Sequence, residues 1–91
     1  MSKYAKRKDA NQKDIEKLLK ATGQNFRDTS SFGNGFPDIL WYFDDEYYFL
    51  EIKDGMKSLT EAEKKFQKQF PRNYILVYSV KQMEEIMKEF G

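Results

Sequence analysis

Two aromatic and branched runs, separated by three acidic residues, restrict most strongly what this chain can fold into. The first run is Ile39-Leu40-Trp41-Tyr42-Phe43 and the second is Tyr47-Tyr48-Phe49-Leu50-Glu51-Ile52, with Asp44-Asp45-Glu46 between them. Aromatic and β-branched residues favour strands, and a short polar interruption between two such runs favours a β-hairpin. Because both runs are apolar on both faces, we expect two central strands that are covered on each side.

Three helices and two further strands are predicted around this hairpin. The helices begin at capping residues and carry apolar residues at helical spacing. The first helix is predicted at 10–22, after the N-cap Asp9. The second is predicted at 60–70, with Thr60 and Glu63 forming a capping box. The third is predicted to begin after Ser79, which forms a capping box with Gln82. The middle helix has a predicted apolar stripe of Ala62, Phe66 and Phe70, and the further strands are predicted at 25–30 and 74–78. The order α-β-β-β-α-β-α predicts an α/β protein in the broad sense and, more specifically, an α+β fold. This fold has a central mixed sheet with helices on both faces and a C-terminal helix.

The composition excludes several kinds of chemistry. The 91 residues contain no cysteine and no histidine. Disulfides, thiol catalysis, thiolate metal sites and histidine general bases are therefore excluded. A metal ion bound here would be a hard cation on oxygen ligands, so Mg²⁺ or Mn²⁺ is expected before Zn²⁺.

The charge is unevenly distributed along the chain. Residues 1–8 carry four basic side chains and no acidic one, whereas all fifteen acidic residues follow them, against twelve of the sixteen basic residues. A basic arm on a mildly acidic body can bind phosphate, and a solubilising, frayed terminus is the equally weighted alternative.

The length predicts a single domain with a small core, which self-association would stabilise. No apolar run approaches the roughly 20 residues that span a bilayer, so we expect an intracellular, cytoplasmic protein without a membrane partner.

Two carboxylates and a lysine interrupt the apolar hairpin. Asp38 stands at the start of the first predicted strand, while Glu51 and Lys53 lie two apart in the second and therefore share a face. A hairpin in which Phe43 faces Glu46 places Asp38 opposite Glu51 on that same face. A slip of one residue would turn Glu51 to the other face, so the functional interpretation requires one particular strand register.

This arrangement suits the hydrolysis of a phosphodiester. Asp38, Glu51 and the backbone carbonyl of Ile52 offer three oxygens to one octahedral ion. Such an ion lowers the pKa of an attacking water, and the Lys53 ammonium can orient that water and stabilise the transition state. The alternative is an ordinary Glu–Lys pair on an exposed strand, with an aspartate in a turn after Pro37. A carboxylate in a covered apolar strand is costly unless it is paired or bound to metal, which favours the catalytic interpretation.

Four segments resemble the VRR-NUC branch of the PD-(D/E)xK nucleases, the virus-type replication–repair nucleases. They read KDANQ at 8–12, GNGFPDIL at 33–40, LEIKDG at 50–55 and LT at 59–60 before a helix. The resemblance covers about 8–70 and is closest to the stand-alone phage versions. It implies a restriction-endonuclease-like αβββαβ core formed by residues 9–91, with residues 1–8 as a basic N-terminal arm.

The resemblance also implies an activity and a set of partners. It implies a Mg²⁺- or Mn²⁺-dependent endonuclease for structured DNA, which acts in recombination or repair. Stand-alone members are similar to Holliday-junction resolvases that work as homodimers, so a four-way junction is the expected substrate. Carried over by position, Asp38 and Glu51 are metal ligands and Lys53 is the catalytic lysine. A flap or single-strand nuclease, a non-catalytic DNA-binding protein and an interaction module without nucleic acid remain as alternatives.

One position departs from the pattern that the resemblance implies. Many members have a glutamate on the first helix, and the corresponding residue here is Gln12, an amide that binds divalent cations more weakly. Gln12 is a candidate site residue, with a capping role beside Asp9 as the alternative; Glu16 ranks below it. The candidate DNA contacts are Lys3, Lys6, Arg7, Lys8, Asn34 and Lys57.

Overall fold

The computed structural model describes residues 10–55 and 57–91. In chain order the elements are α1 (Ala10–Ala21), β1 (Asn25–Asp28), β2 (Ile39–Phe43), β3 (Glu46–Ile52), α2 (Glu61–Gln69), β4 (Tyr74–Val77) and α3 (Val80–Phe90). The sheet order is β1-β2-β3-β4; the first two pairs are antiparallel and β3–β4 is parallel. The predicted α+β fold, with a mixed sheet and a C-terminal helix, is confirmed. Within these residues no helix has both the length and the apolar character that crossing a membrane requires. The predicted cap Asp9 lies outside the described residues.

The turn between β2 and β3 determines how the two strands pair. Asp44 and Asp45 have φ of 52° and 65°, and two successive positive φ values are typical of the tight type I′ turn that matches the strand twist. Phe43 consequently pairs with Glu46, and the ladder continues to Ile39 opposite Leu50. The predicted register is confirmed.

The hydrophobic core lies between one sheet face and the helices α1 and α3. Buried apolar side chains from β2, β3 and β4 meet those of the two helices there: Ile15, Leu19, Ile39, Trp41, Leu50, Ile52, Val77, Met83 and Ile86. The indole N–H of Trp41 donates to Gln24 Oε1 at 3.0 Å. This bond satisfies the polar atom of the largest buried ring, so the ring is buried without an unpaired donor.

The described residues cover the opposite sheet face only in part. The Phe66 ring of α2 packs against Phe49 of β3, with 5.1 Å between ring centroids. Nearer to the β2–β3 turn, Tyr47 is 61% exposed, and Leu40 and Tyr42 are only half-buried. The expectation that both central strands are covered on each side is therefore wrong for this part of the sheet. Tyrosine tolerates such a position because its ring has an apolar body and a polar tip.

The buried side of α2 differs from the predicted stripe. Ala62 is exposed and Phe70 is 50% exposed, whereas Glu63 and Phe66 are the buried residues. The helix faces the sheet with a carboxylate in its first turn because that carboxylate has a cationic partner there, described below. Apolar spacing alone therefore predicted the wrong side of the first turn.

The cap of α3 matches its prediction only in part. The Gln82 N–H donates to Ser79 Oγ at 3.0 Å, as expected for an N-cap serine. The return bond, however, joins Tyr78 N–H to Gln82 Oε1 at 2.6 Å. The side chain of Gln82 thus reaches one residue further back than a capping box requires.

Candidate active site

One end of the sheet brings Asp38, Glu51 and Lys53 together. Asp38 directly precedes β2, Glu51 lies near the end of β3, and Lys53 directly follows β3. The Asp38 N–H donates to the Leu50 carbonyl at 3.0 Å, and Asp38 Oδ2 accepts from the Ile52 N–H at 2.9 Å. These bonds hold Asp38 against β3 beside Glu51. The three side chains predicted from the motif are therefore neighbours.

Thr29 supports the backbone at Asp38 from the side of β1. Its hydroxyl is buried and donates to the Pro37 carbonyl at 2.7 Å, and its N–H donates to the Asp38 carbonyl at 2.9 Å. Asp38 is thus fixed from both neighbouring strands. Sequence reasoning missed Thr29 because a hydroxyl that binds the backbone of another segment leaves no periodic signal.

Glu51 is a buried carboxylate with an unsatisfied oxygen. The residue is only 2% exposed, and its Oε1 has no hydrogen-bond partner among the described residues. Burial, together with the Asp38 and Glu63 carboxylates and against the opposing charge of Lys53, raises the pKa of the Glu51 carboxyl to about 9. At neutral pH this carboxyl therefore holds a proton unless a divalent cation binds beside it.

Lys53 is a buried ammonium between two carboxylates. Its Nζ lies 2.6 Å from Glu63 Oε1 and 3.8 Å from Glu51 Oε2, and its side chain is 11% exposed. Burial lowers the pKa of Lys53, but the hydrogen bond to Glu63 and the attraction of the surrounding carboxylates outweigh this, so the pKa is raised. Lys53 thus acts as a fixed positive charge and not as a general base.

Glu63 completes the group from the first turn of α2. Its Oε1 accepts from the Thr60 N–H at 2.8 Å as well as from Lys53, while the Glu63 N–H donates to Thr60 Oγ1 at 3.2 Å. Burial raises the pKa of Glu63, but the bonds from Lys53 and Thr60 prevail and lower it. The predicted capping box is confirmed. For Glu63, capping had been favoured over a contact with the site because the cap already accounted for the Thr60–Glu63 spacing, and the specific pair with Lys53 was not predicted.

Tyr74 brings a phenol toward the same carboxylates. Its hydroxyl is buried and has no partner among the described residues. Burial raises the pKa of Tyr74, and the negative charges of Glu51, Glu63 and Asp38 raise it further. The hydroxyl therefore stays protonated and can donate one hydrogen bond. The sequence had predicted a strand at 74–78 but no role for the Tyr74 hydroxyl.

The donor set fits a hard divalent cation in part. In the described part of the chain, no three carboxylates are arranged to hold a metal ion together. The oxygens that could hold a divalent cation are those of the Asp38 and Glu51 carboxylates and the Ile52 carbonyl. Because Ile52 is extended, its carbonyl points to the same side of the strand as its N–H, which donates to Asp38. The unsatisfied buried oxygen of Glu51 is the feature that a bound cation would satisfy.

Gln12 lies at the start of α1 with its amide already engaged. The residue is buried, and its Nε2 donates to Glu16 Oε2 at 2.9 Å and to Asp28 Oδ1 at 3.2 Å. Its neighbour Asn11 donates to the Tyr78 carbonyl at 2.8 Å, which ties α1 to the end of β4. The described bonds of Gln12 therefore orient two acidic side chains, Glu16 and Asp28, at the start of α1 and the end of β1.

The candidate DNA contacts are only partly described. Asn34 is exposed in the loop before β2 with a φ of 55°, and Lys57 is exposed in the loop after β3. Lys3, Lys6, Arg7 and Lys8 lie outside the described residues.

Comparison with known proteins finds no relative of this chain: no protein-family model, no curated protein and no solved structure matches it.

Proposed function

We propose that the protein is a Mg²⁺- or Mn²⁺-dependent endonuclease that hydrolyses phosphodiester bonds in structured DNA. The observation that carries this proposal is the unsatisfied, buried oxygen of Glu51 next to Asp38 and the Lys53 ammonium. Burying a carboxylate in this way is costly, and a divalent cation removes the cost. A fixed ammonium beside a cation site stabilises the additional negative charge that the phosphate carries in the transition state.

Each residue of the group has a distinct task in this reaction. Asp38 and Glu51, with the Ile52 carbonyl, would hold the cation, which when bound supplies an activated water and neutralises phosphate charge. Lys53 donates a hydrogen bond to the attacking water or to a non-bridging phosphate oxygen, and its positive charge stabilises the charge that builds up there. The water oxygen loses a proton to solvent and bonds to phosphorus as the bond to the leaving oxygen breaks, and the leaving oxygen takes up a proton from solvent.

A four-way DNA junction cut by a homodimer is the form of this activity that we favour. A chain of 91 residues has a small core, and a two-fold pair of sites would cut two strands symmetrically. The support for the junction itself is the resemblance of the motif segments to stand-alone VRR-NUC proteins. An interface between two copies would also bury exposed aromatic side chains such as Phe32 and Tyr47.

A nuclease for flaps or single strands is the second candidate. The rings of Tyr42 and Tyr47 lie on the sheet face that carries Glu51, with centroids 4.9 Å apart, and Tyr47 is largely exposed. Unpaired bases stack on exposed aromatic rings with little regard to sequence. A duplex offers no free base to such a surface, so substrate choice separates the two candidates.

A cleavage panel tests the proposed function. A four-way junction, a flap, a single strand and a linear duplex are incubated with the protein in Mg²⁺, in Mn²⁺ and in a chelator. We expect fastest cleavage of the junction and none in the chelator. Binding of all four DNAs without cleavage in either metal would show a DNA-binding protein instead, and absence of salt-dependent DNA binding would exclude both.

Removal of the fixed ammonium should strongly reduce cleavage. In Lys53→Ala we expect the rate to fall about a hundredfold or more, because one preorganised donor at the transition state contributes about that much. Lys64→Ala removes an exposed lysine of α2, 57% accessible, and should cleave at the wild-type rate. Gel-based rates on the best substrate, with circular dichroism to verify folding, make the comparison. A well-folded Lys53→Ala variant with the wild-type rate would contradict the proposed role of Lys53.

A further inference from the structure

The ammonium of Lys53 is shared unequally between its two carboxylate neighbours. Its Nζ is 2.6 Å from Glu63 Oε1 but 3.8 Å from Glu51 Oε2. Only the first distance is a hydrogen bond. We propose that Glu63 is a positioning residue that holds the Lys53 ammonium back from Glu51 and so keeps the Glu51 carboxylate available for a divalent cation. This inference rests on the proposed nuclease function, whose site it deepens.

Helix capping alone does not account for the position of Glu63. A glutamate in a capping box needs only the backbone N–H of the cap residue, here Thr60, and such side chains are usually solvated. Glu63 is 7% exposed, and the oxygen that accepts from Thr60 also accepts from Lys53. Glutamates are almost never buried unless they are paired. The pairing with Lys53 is therefore the feature that accounts for the burial.

The first turn of α2 fixes Glu63 in this place. The Thr60 hydroxyl accepts from the Glu63 N–H, and the Glu63 carboxylate accepts from the Thr60 N–H, so both ends of the residue are held. The Ala62–Glu63 backbone also lies directly against Gly35, in the loop before β2. A carboxylate anchored at both of these points can hold a lysine in one orientation.

Loss of the Glu63 charge should let Lys53 move to Glu51. The two groups are already 3.8 Å apart, and a small rotation of the lysine would bring them within hydrogen-bond distance. The ammonium would then neutralise the carboxylate and compete with a divalent cation for it. Lys53 would also leave the place from which it stabilises the transition state. Both cation affinity and turnover should fall.

Two substitutions separate positioning from capping. Glu63→Gln keeps a suitable capping-box partner, because glutamine serves there as well as glutamate, but it removes the charge that binds Lys53. Thr60→Ala removes the cap hydroxyl, but the backbone N–H at position 60 and the Lys53 ammonium still donate to the Glu63 carboxylate. If Glu63 were only a cap, Thr60→Ala would be the more damaging change.

Three measurements are made on both variants and the wild type. Calorimetric titration with Mn²⁺ should show affinity about tenfold weaker in Glu63→Gln, and kcat on the best DNA substrate should fall about tenfold with a smaller change in KM. The ¹H–¹⁵N signal of the Lys53 ammonium, visible only while the group is hydrogen-bonded and protected from water, should move to a different chemical shift, because its acceptor changes from Glu63 to Glu51. Thr60→Ala should keep Mn²⁺ affinity and kcat within twofold and leave the signal at its wild-type position.

The outcomes distinguish this inference from the proposed function. Equal behaviour of Glu63→Gln and Thr60→Ala in Mn²⁺ affinity and in the Lys53 signal would overturn the positioning role. A wild-type protein that cleaves no DNA would overturn the nuclease assignment. Even then, a Lys53 signal shifted in Glu63→Gln and unchanged in Thr60→Ala would support the positioning of Lys53, and a signal unchanged in both would refute it.

Discussion

Replacing Glu51 by glutamine is expected to abolish cleavage and, in the same protein, to raise the free energy of unfolding at neutral pH. Cleavage should fall about a thousandfold, because a bound cation supplies several kcal/mol of transition-state stabilisation and an amide is a weaker ligand. Stability should rise because Glu51 is buried with an unsatisfied oxygen. A neutral amide of the same shape needs no proton on folding, whereas the Glu51 carboxyl must take one up at neutral pH to be buried.

The pH dependence of this gain has a definite sign. The pKa of Glu51 is raised from 4.5 to about 9 in the folded protein. A raised carboxyl pKa means that the folded state binds the proton more tightly, so the contribution of Glu51 to stability is fully present below pH 4.5 and is lost as pH rises toward 9. One pKa unit corresponds to about 1.4 kcal/mol. With relaxation around the site included, we expect Glu51→Gln to be about 2 kcal/mol more stable at pH 7.5 and nearly unchanged at pH 4.5.

Urea unfolding of wild type and Glu51→Gln at a series of pH values, without divalent metal, measures this difference. Glu61→Gln is the matched control, since its carboxylate is 91% exposed on α2; its stability should stay within about 0.5 kcal/mol of wild type. Glu63, whose pKa is lowered, acts with the opposite sign and only below pH 4.5, so it does not obscure the result. A Glu51→Gln variant that is less stable than wild type at pH 7.5 would show that the carboxylate is satisfied without a cation.

The neighbourhood of Asp38 and Glu51 could be predicted from the sequence because it depends on local features. Side chains alternate along a strand with a period of two, and the two-residue turn at Asp44 and Asp45 allows one register only. Once that register is known, the position of Lys53 follows from its spacing to Glu51. Each of these steps uses residues that are close in the chain or paired across one hairpin.

The Glu63–Lys53 pair could not be predicted in the same way. It depends on how α2, which crosses from β3 to β4, rotates about its own axis, and no local pattern determines that rotation. Of the predicted apolar stripe, Phe66 is buried as expected, but the pair with Lys53 buries Glu63 while Ala62 stays exposed. A buried ion pair thus overrides apolar periodicity when one partner lies in another element.

The partly open sheet face illustrates a second limit of the sequence. Leu40, Tyr42 and Tyr47 belong to runs that are apolar on both faces, which predicted strands covered on each side. The three helices of residues 10–55 and 57–91 do not cover both faces of the four strands: α1 and α3 take one face, and the nine-residue α2 covers part of the other. The composition of a strand indicates whether its residues tolerate burial, whereas the number and length of the helices determine which parts of the sheet are buried.

Gly35→Ala is expected to lower the free energy of unfolding by about 3 kcal/mol, the largest loss from any single methyl group that we anticipate. Gly35 has a φ of +80°, and a Cβ at this position would overlap the Ala62 carbonyl and lie 2.8 Å from the Glu63 nitrogen. The positive φ costs an alanine about 1 kcal/mol. The overlap with backbone adds to this cost, since no side-chain rotation can relieve it.

The loop that carries Gly35 cannot move away to make room. Phe36 packs against Phe49 and Phe66, with ring centroids 5.9 and 5.0 Å away, and Pro37 is buried and bonded to Thr29. The strain should therefore fall on the first turn of α2, where Glu63 holds Lys53. For this reason Gly35→Ala should also weaken the hydrogen-bonded ammonium signal of Lys53.

Gly33→Ala is the matched control for Gly35→Ala because it has the same kind of backbone without the close approach. Gly33 has a φ of +76° and nothing within 4 Å of an added Cβ. It should lose only the conformational cost of about 1 kcal/mol. Urea unfolding of both variants in parallel measures the difference of about 2 kcal/mol that belongs to the contact with Ala62 and Glu63. Equal losses in the two variants would mean that the loop moves to accommodate the methyl group. In that case Gly35→Ala would not strain the first turn of α2 and would not affect Lys53 through it.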